Sequence, residues 1–381
     1  MRAAGPPQGA RPPGGERREA TQGGHHTAPL ERSFRARGLL IAEIEPGACV
    51  PEAFSDPRAE HLATRSAAGL FDFSFMGVAD FAGERGFAAL QRLQTRNMAR
   101  LASGRLCYTL LLREDGSVVS DATLWRLAED RYWLFTGRHS DIVRICEDAQ
   151  AADRSGEYAV LALQGPATGA ILARLAGENC VRALRYFRFA QVRVAGLVAT
   201  VGRLGYSGEL GYELIVPIED GLTLWHALFE AGRDIGLREC GFIAADSLRI
   251  ESGYVLFGRE IDGRADPFEL GLERFVELGE RDFRGAQALV KRRYDAPTRR
   301  LCGLEVRDGA PMPRARTELP RAHITSECHS PVFDRRVALG FVSADASRPG
   351  TLVAIGNEQR AQVTRLPFYD PCRRLPRAAP L

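Results

Sequence analysis

Asp121 is the acid whose neighbours least resemble those of a surface carboxylate. It stands in SVVSDATLWRL, where the two-residue period of a strand gathers Val119, Asp121, Thr123 and Trp125 on one face. A charge buried on such a face is costly unless a partner or a task compensates it. A carboxylate fixed in low dielectric can stabilise a developing cation and carry a proton, an effect worth roughly 10²-fold or more in rate. The same face turned to solvent makes Asp121 an ordinary exposed acid, and pattern alone leaves both readings open.

Other groups with chemical potential carry weaker signals. The segment GRLGYSGELGYELIVP, residues 202–217, has four glycines in its first ten residues and reads as a loop folded tightly against something, with Glu209 and Glu213 as candidate ligand-binding acids. A long hairpin whose glycines serve only the turn is the alternative. Asp246 and Arg249, three apart on an expected helix, read as a stabilising pair. The eight cysteines are scattered with no CxxC, which argues against a zinc site or a disulfide framework and fits thiols in a reducing cytoplasm. His25 and His26 form an adjacent pair that reads as a surface pair, and no metal site is expected.

The elements that must position Asp121 are legible around it. Asp115-Gly116 is a two-residue hairpin signal between LCYTLLLRE and SVVSDATLWRL, and RYWLFT supplies a third strand. That turn sets Glu114 opposite Ser117, so Leu110 opposes Asp121 and Tyr108 opposes Thr123, and Tyr108 and Leu110 join the Asp121 face. Helices are expected from Glu84 to Leu93, over 219–235 with Leu222, Trp225, Leu228 and Phe229 inward, and near 241–252. GEYAVLALQGP reads as a buried strand, and short strands broken by Pro and Gly after Pro297 predict a small C-terminal β-barrel or sandwich.

Composition bounds the rest. A chain of 381 residues, 45% hydrophobic and 26% charged, supports two or three packed domains. Residues 1–30, rich in Pro, Gly and Arg, predict a disordered tail. No apolar run is long enough for a membrane span or a secretory signal, which predicts a cytoplasmic protein. A net charge of +3, without a dense basic stripe, argues against nucleic acid as a partner.

Ten segments in order then carry a resemblance over roughly residues 60–371: RSAAGLFDFSFMG, YTLLLREDGSVVSDATLWRL, LALQGP, GYSGELGYE, DSLRIESGYVLFGREID, DPFELGL, DFRGAQAL, ITSECHSPVF, VALGFV and LPFYDP. Together they resemble the aminomethyltransferase family, the glycine cleavage T-protein and its relatives. The resemblance implies an α+β fold, a three-domain ring with antiparallel sheets and a C-terminal β-barrel, holding tetrahydrofolate in a central channel. It implies a division into 31–75 with 156–256, 76–155 with 257–293, and 297–371. The aligned catalytic acid is Asp121, with Ser120 replacing the family's first acid. Implied folate contacts are Tyr108, Thr123, Trp125, Thr136, Tyr206, Glu213 and Tyr254, while Phe268 and Phe283 read as core.

Departures accompany the matches. Ala245 replaces a folate-contacting arginine, Thr136 an asparagine, and Phe75 a histidine. The activity implied first is aminomethyl transfer from a lipoylated carrier to tetrahydrofolate. A folate-dependent demethylase of an N-, O- or S-methyl compound is the alternative, and the partners implied are a lipoylated carrier protein or a partner dehydrogenase. A non-catalytic folate-binding protein of the iron-sulfur assembly branch ranks third, since ESGYVLFGREID lacks that branch's cysteine.

Overall fold

The computed structural model describes residues 28–149, 151–279, 281–307, 319–356 and 359–381. His25 and His26, and nearly all of the expected tail, lie outside them. Order begins slightly earlier than composition indicates, with a helix at Pro29–Ala36 that buries Leu30 and Phe34. These residues are four apart and so share one helix face. Phe34 packs edge-on against Trp225, with ring centroids 5.1 Å apart.

A six-stranded sheet runs in the order Phe189–Val194, Leu197–Gly202, Gly211–Pro217, Tyr158–Gln164, Ala68–Asp72 and Leu237–Glu239. All neighbours are antiparallel except the final, parallel pair. Alternation gives its strands two buried faces. Leu161, Leu163, Tyr212 and Leu214 meet Leu224, Trp225 and Leu228 of the helix Gly221–Gly232. Val160, Ala162 and Ile215 face the other way, toward Trp125 and Phe135 of a second sheet.

The second sheet is inserted within the first. The chain leaves the first sheet after Asp72 and builds antiparallel strands in the order Arg105–Leu112, Val118–Ala128, Arg131–Thr136, Gly77–Ala82 and Ala152–Asp153. It then returns to pair Leu161 with Asp72. The expected three-strand meander is its first half, and the helix Gly83–Leu93 packs on its far face through Leu90 and Leu93.

The hairpin differs from expectation in two ways that offset each other. Arg113 N–H donates to Ser117 O at 2.9 Å and Gly116 N–H to Arg113 O at 3.0 Å, so the turn holds three residues, with Gly116 left-handed at φ +84°. One residue is thereby added, and a β-bulge at Val119 absorbs it: Leu111 pairs with Ser120, but Leu112 pairs with Val118. Beyond the bulge Leu110 opposes Asp121 and Tyr108 opposes Thr123, as the pattern indicated. Val119 itself is turned to the opposite face with Leu111, Ala122 and Leu124, and Val118 joins Leu110 and Leu112 instead.

Arg299–Arg307, Arg335–Ser343, Arg321–Ser330, Leu352–Ile355 and Gln359–Thr364 follow in order around a closed barrel, sealed by pairing of its first and last strands. The helix Phe242–Glu251 joins barrel to first sheet through buried charges. Arg249 donates to Asp246 at 2.7 Å, as its spacing indicated, and also to Glu260 at 2.8 Å and to Ser326 Oγ of the barrel at 2.7 Å. Glu251 accepts from Arg65 at 2.8 Å and from Ser330 Oγ of the barrel. Past Pro371 the chain folds back: the Arg203 guanidinium donates to Ala378 O, and Pro380 O fills the space a side chain at Gly169 would need.

Candidate active site

Asp121, on the meander's middle strand, is half-buried. Tyr108 of the neighbouring strand donates its hydroxyl to Asp121 Oδ2 at 2.9 Å. Burial pushes the carboxyl up to about 6 despite that hydrogen bond. Burial, followed by the adjacent Asp121 charge, holds the Tyr108 phenol well above its ordinary range, so it stays a donor. The Tyr108 ring meets Phe275 edge-on at 4.7 Å.

Thr123 shares this face and accepts from Trp125 Nε1 at 3.2 Å. Trp125 itself is fully buried, packed between Phe135 and Phe189 at 5.8 and 5.0 Å. It also lies over Gly202, where an added Cβ would sit 2.1 Å from the indole. Trp125 therefore forms the wall behind the site and exposes no surface of its own. Thr136 requires a correction. It pairs with Ala122, on the face turned away from Asp121, and its hydroxyl donates to Arg138 O at 2.8 Å. Phe135 takes the inward position, because the strand's period cannot present both residues to one side.

The glycine-rich loop is folded against particular neighbours. A Cβ at Gly205 or Gly211 would lie 1.9 or 2.4 Å from the Gln164 side chain, and one at Gly208 would lie 2.2 Å from Ser252 Oγ. Its two candidate acids have different fates. Glu209 is bound by Arg65 at 3.0 Å and serves structure. Glu213 is 7% exposed, has no hydrogen-bond or ion-pair partner among the described residues, and lies on the strand face shared by Ile215 and facing the second sheet. Burial alone pushes it up to about 7.

Tyr206 completes the loop's contribution. Its hydroxyl donates to Val255 O, and its ring stacks on Tyr254 with centroids 5.7 Å apart and planes 16° apart. Tyr254 is held by Arg249, which donates to its carbonyl at 3.2 Å. Beside this platform runs a cleft lined by Phe71, Phe73, Gln164, Tyr206, Ser207, Ala245 and Leu248. The small Ala245 side chain keeps that side apolar. Phe75 stands at its edge, 6.0 Å from Phe73. Phe283 is core, and Phe268 is partly buried against the same cluster.

The structure thus brings Asp121, Tyr108, Tyr206 and Tyr254 together, with Thr123 on the Asp121 face, while Glu213 lies on the face of the first sheet that is turned toward the second. Sequence reading passed over Gln164, the buried acceptor against which the loop is folded, and Phe275, which props Tyr108. Gln164 ends a strand at Gln-Gly-Pro, a detectable turn signal; Phe275 lies in a single turn, Glu273–Phe275, with no periodic signature. Among the described residues no cluster of His, Cys, Asp and Glu is placed to hold a metal, and no helix is long and apolar enough to cross a membrane.

These carboxyls and stacked aromatics suit a flat ligand with N–H donors and a reacting centre that gains positive charge. The chain is similar to known proteins over most of its length. Residues 35–280 match the GCVT N-terminal domain, and residues 299–370 match the glycine cleavage T-protein C-terminal barrel domain. The aminomethyltransferase of Symbiobacterium thermophilum is 38% identical, with 85% of this chain and 92% of that protein aligned. That of Halothermothrix orenii is 32% identical over 89% of this chain and 99% of that one. The crystal structure of glycine cleavage system aminomethyltransferase T from Bartonella henselae superposes with a TM-score of 0.80 at 28% identity, covering 91% of this chain and 99% of that one. On these grounds the chain belongs to the aminomethyltransferase family, the glycine cleavage T-proteins.

Proposed function

We propose that this transferase moves a one-carbon unit, in the first instance an aminomethyl group from a lipoylated carrier, onto tetrahydrofolate, with Asp121 as the central catalytic carboxylate. The observation that carries the reading is the pairing of Asp121 with Tyr108 beside the Tyr206–Tyr254 platform, with the unpartnered Glu213 on the facing sheet. In this reading the two sheets and the barrel surround the folate as three units of a ring.

Each residue has a chemical task. Ionised Asp121 stabilises positive charge developing at the reacting nitrogen or carbon and can hold the proton exchanged there. Tyr108 fixes the orientation of that carboxylate through its hydrogen bond. Glu213, ionised, accepts N–H donors from the edge of a pterin, and the tyrosine platform receives its ring. Folate supplies the acceptor nitrogens when bound.

The Ala245 side of the cleft favours a second reading: a larger or less polar donor, as in a folate-dependent demethylase, would find room where an arginine would otherwise stand. Purified protein incubated with tetrahydrofolate and either aminomethylated lipoyl carrier or a panel of methyl donors separates the two. Ammonia and methylene-tetrahydrofolate from the carrier are expected. No turnover with the carrier, together with turnover of a methyl donor, overturns the aminomethyl assignment in favour of demethylation.

A further inference from the structure

The β-bulge beside Asp121 leaves a backbone carbonyl that neither neighbouring strand can satisfy. Val119 falls between the pairs Leu111–Ser120 and Leu112–Val118, so the strand Arg105–Leu112 gives it no partner. On the other side the strand Arg131–Thr136 ends too soon. Its last pair is Thr136 with Ala122, which leaves Val119, Ser120 and Asp121 beyond its reach. An unpaired carbonyl in the interior is costly, and Arg138 meets this one: its Nη2 donates to Val119 O at 2.7 Å.

Arg138 is itself held from behind. Its Nε and Nη2 donate to the two carboxylate oxygens of Asp141 at 3.0 and 3.1 Å, a paired fork that fixes a guanidinium in orientation as well as in place. Asp141 is 3% exposed and stands in the first turn of the helix His139–Ala149, where the helix dipole favours an acid. The turn joining strand to helix is fixed as well. Arg138 O accepts from Thr136 Oγ1 at 2.8 Å and from Asp141 N–H at 3.2 Å, and a Cβ at Gly137 would lie 2.2 Å from the Phe257 ring. The Thr136 hydroxyl, turned away from Asp121, thus helps to aim Arg138. Arg144 also reaches Asp141, at 3.2 Å, from an exposed position.

The charges of this pair act on the acid too. Burial has the largest effect on Asp121, followed by its hydrogen bonds; beyond these the Asp141 charge raises its carboxyl and the Arg138 charge lowers it. The groups that face Asp121 are Tyr108 from the neighbouring strand, Tyr206 from the glycine-rich loop, and Arg138 and Asp141 from the turn and helix past the third strand. We propose that Arg138, clamped by Asp141, is a positioning residue for the transfer step, pinning the bulge carbonyl of Val119 and so fixing the place of the Asp121 carboxylate two residues on. The inference rests on the catalytic role given to Asp121 and deepens it. Arg138 touches no substrate in this role and acts only through the acid.

The test is a double-mutant cycle of Arg138→Gln with Asp121→Asn, read in turnover of tetrahydrofolate with the aminomethylated carrier and the methyl donors. A misplacement of about 1 Å can cost about 10²-fold, so Arg138→Gln should lower kcat about 10- to 100-fold while folate affinity by calorimetry stays within about twofold. In the Asp121→Asn background the same change should cost less than about threefold, since the group it positions no longer acts. The acid limb of Arg138→Gln should move to higher pH, because a cation that lowers the Asp121 carboxyl is gone. Arg138→Lys should restore that limb and part of kcat, and Arg144→Ala should leave both unchanged. Equal losses in the two backgrounds, or an unmoved limb, overturn the proposal. Loss of turnover in Asp121→Asn with full turnover in Arg138→Gln overturns it alone, and full turnover in both single variants overturns the role of Asp121 with it. The Asp121 carboxyl is also titrated without ligand, by ¹³C NMR of protein labelled at aspartate. If the wild type turns over no donor, the one-carbon reading falls; a higher Asp121 midpoint in Arg138→Gln then still upholds the grip of Arg138 on the acid, and an unmoved one overturns it.

Discussion

Replacing Asp121 by Asn removes the charge and little else, because the amide oxygen can still accept the Tyr108 hydroxyl. Two charges about 4 Å apart interact by about 4 kcal/mol at an effective dielectric of about 20. Asp121 is half-buried, so solvent screening reduces this to about 2–3 kcal/mol, or roughly 30- to 150-fold in turnover. Ligand affinity should stay within a few-fold, since the lost interaction belongs to the charged transition state.

The effect on stability runs in the opposite direction. A carboxyl pushed up to about 6 by burial binds its proton more tightly in the folded state than in the unfolded one. Its contribution to stability is therefore neutral at low pH, turns adverse as pH rises from about 4 to about 6, and stays adverse above that. Asp121→Asn should raise the thermal midpoint at neutral pH while lowering turnover, a combination that misfolding does not produce. Wild-type turnover should also fall as pH drops through about 6, and the variant should lack that limb. Stopped-flow turnover across pH with parallel thermal melts provides the assay. An Asn variant within threefold of wild type, or one that keeps the acid limb, refutes the role given to Asp121.

Glu213→Gln should weaken folate binding about 10- to 100-fold, the worth of hydrogen bonds to an ionised acceptor, as read by calorimetry. Wild-type binding should weaken as pH falls through about 7, where Glu213 takes up a proton, and the Gln variant should lose that slope. Trp125→Ala should destabilise by about 3–5 kcal/mol in denaturant titration, because the wall over Gly202 becomes a cavity. Glu251→Ala should cost about 3–5 kcal/mol by the same measurement, since Arg65 and His61 lose the partner that holds them in the interior.

The meander was legible because a turn signal and three alternating runs agree, and agreement across levels is what specifies a structure. Its bulge was not, because one extra residue in the turn and one in the strand cancel in every pairing beyond Ser120 and leave no trace in the pattern except at Val119. Asp121 and Glu213 could be singled out by residue type and context. The division of labour between Glu209 and Glu213 could not, because it depends on Arg65, which is 144 residues from Glu209 along the chain. Thr136 was misplaced for a related reason: an aligned position does not reveal which face of a strand points inward.

The nested sheets also set a timetable for synthesis. The strand Ala68–Asp72 emerges early, but its antiparallel neighbour Tyr158–Gln164 follows only after the whole second sheet has been made. At roughly 5–20 residues per second, that leaves a buried, apolar strand without its partner for several seconds. Meanwhile the second sheet has all its strands in one continuous stretch, 77–153, and can close first. The newborn chain is then a folded insert carrying an unpaired edge, and that edge is where a chaperone has most to shield.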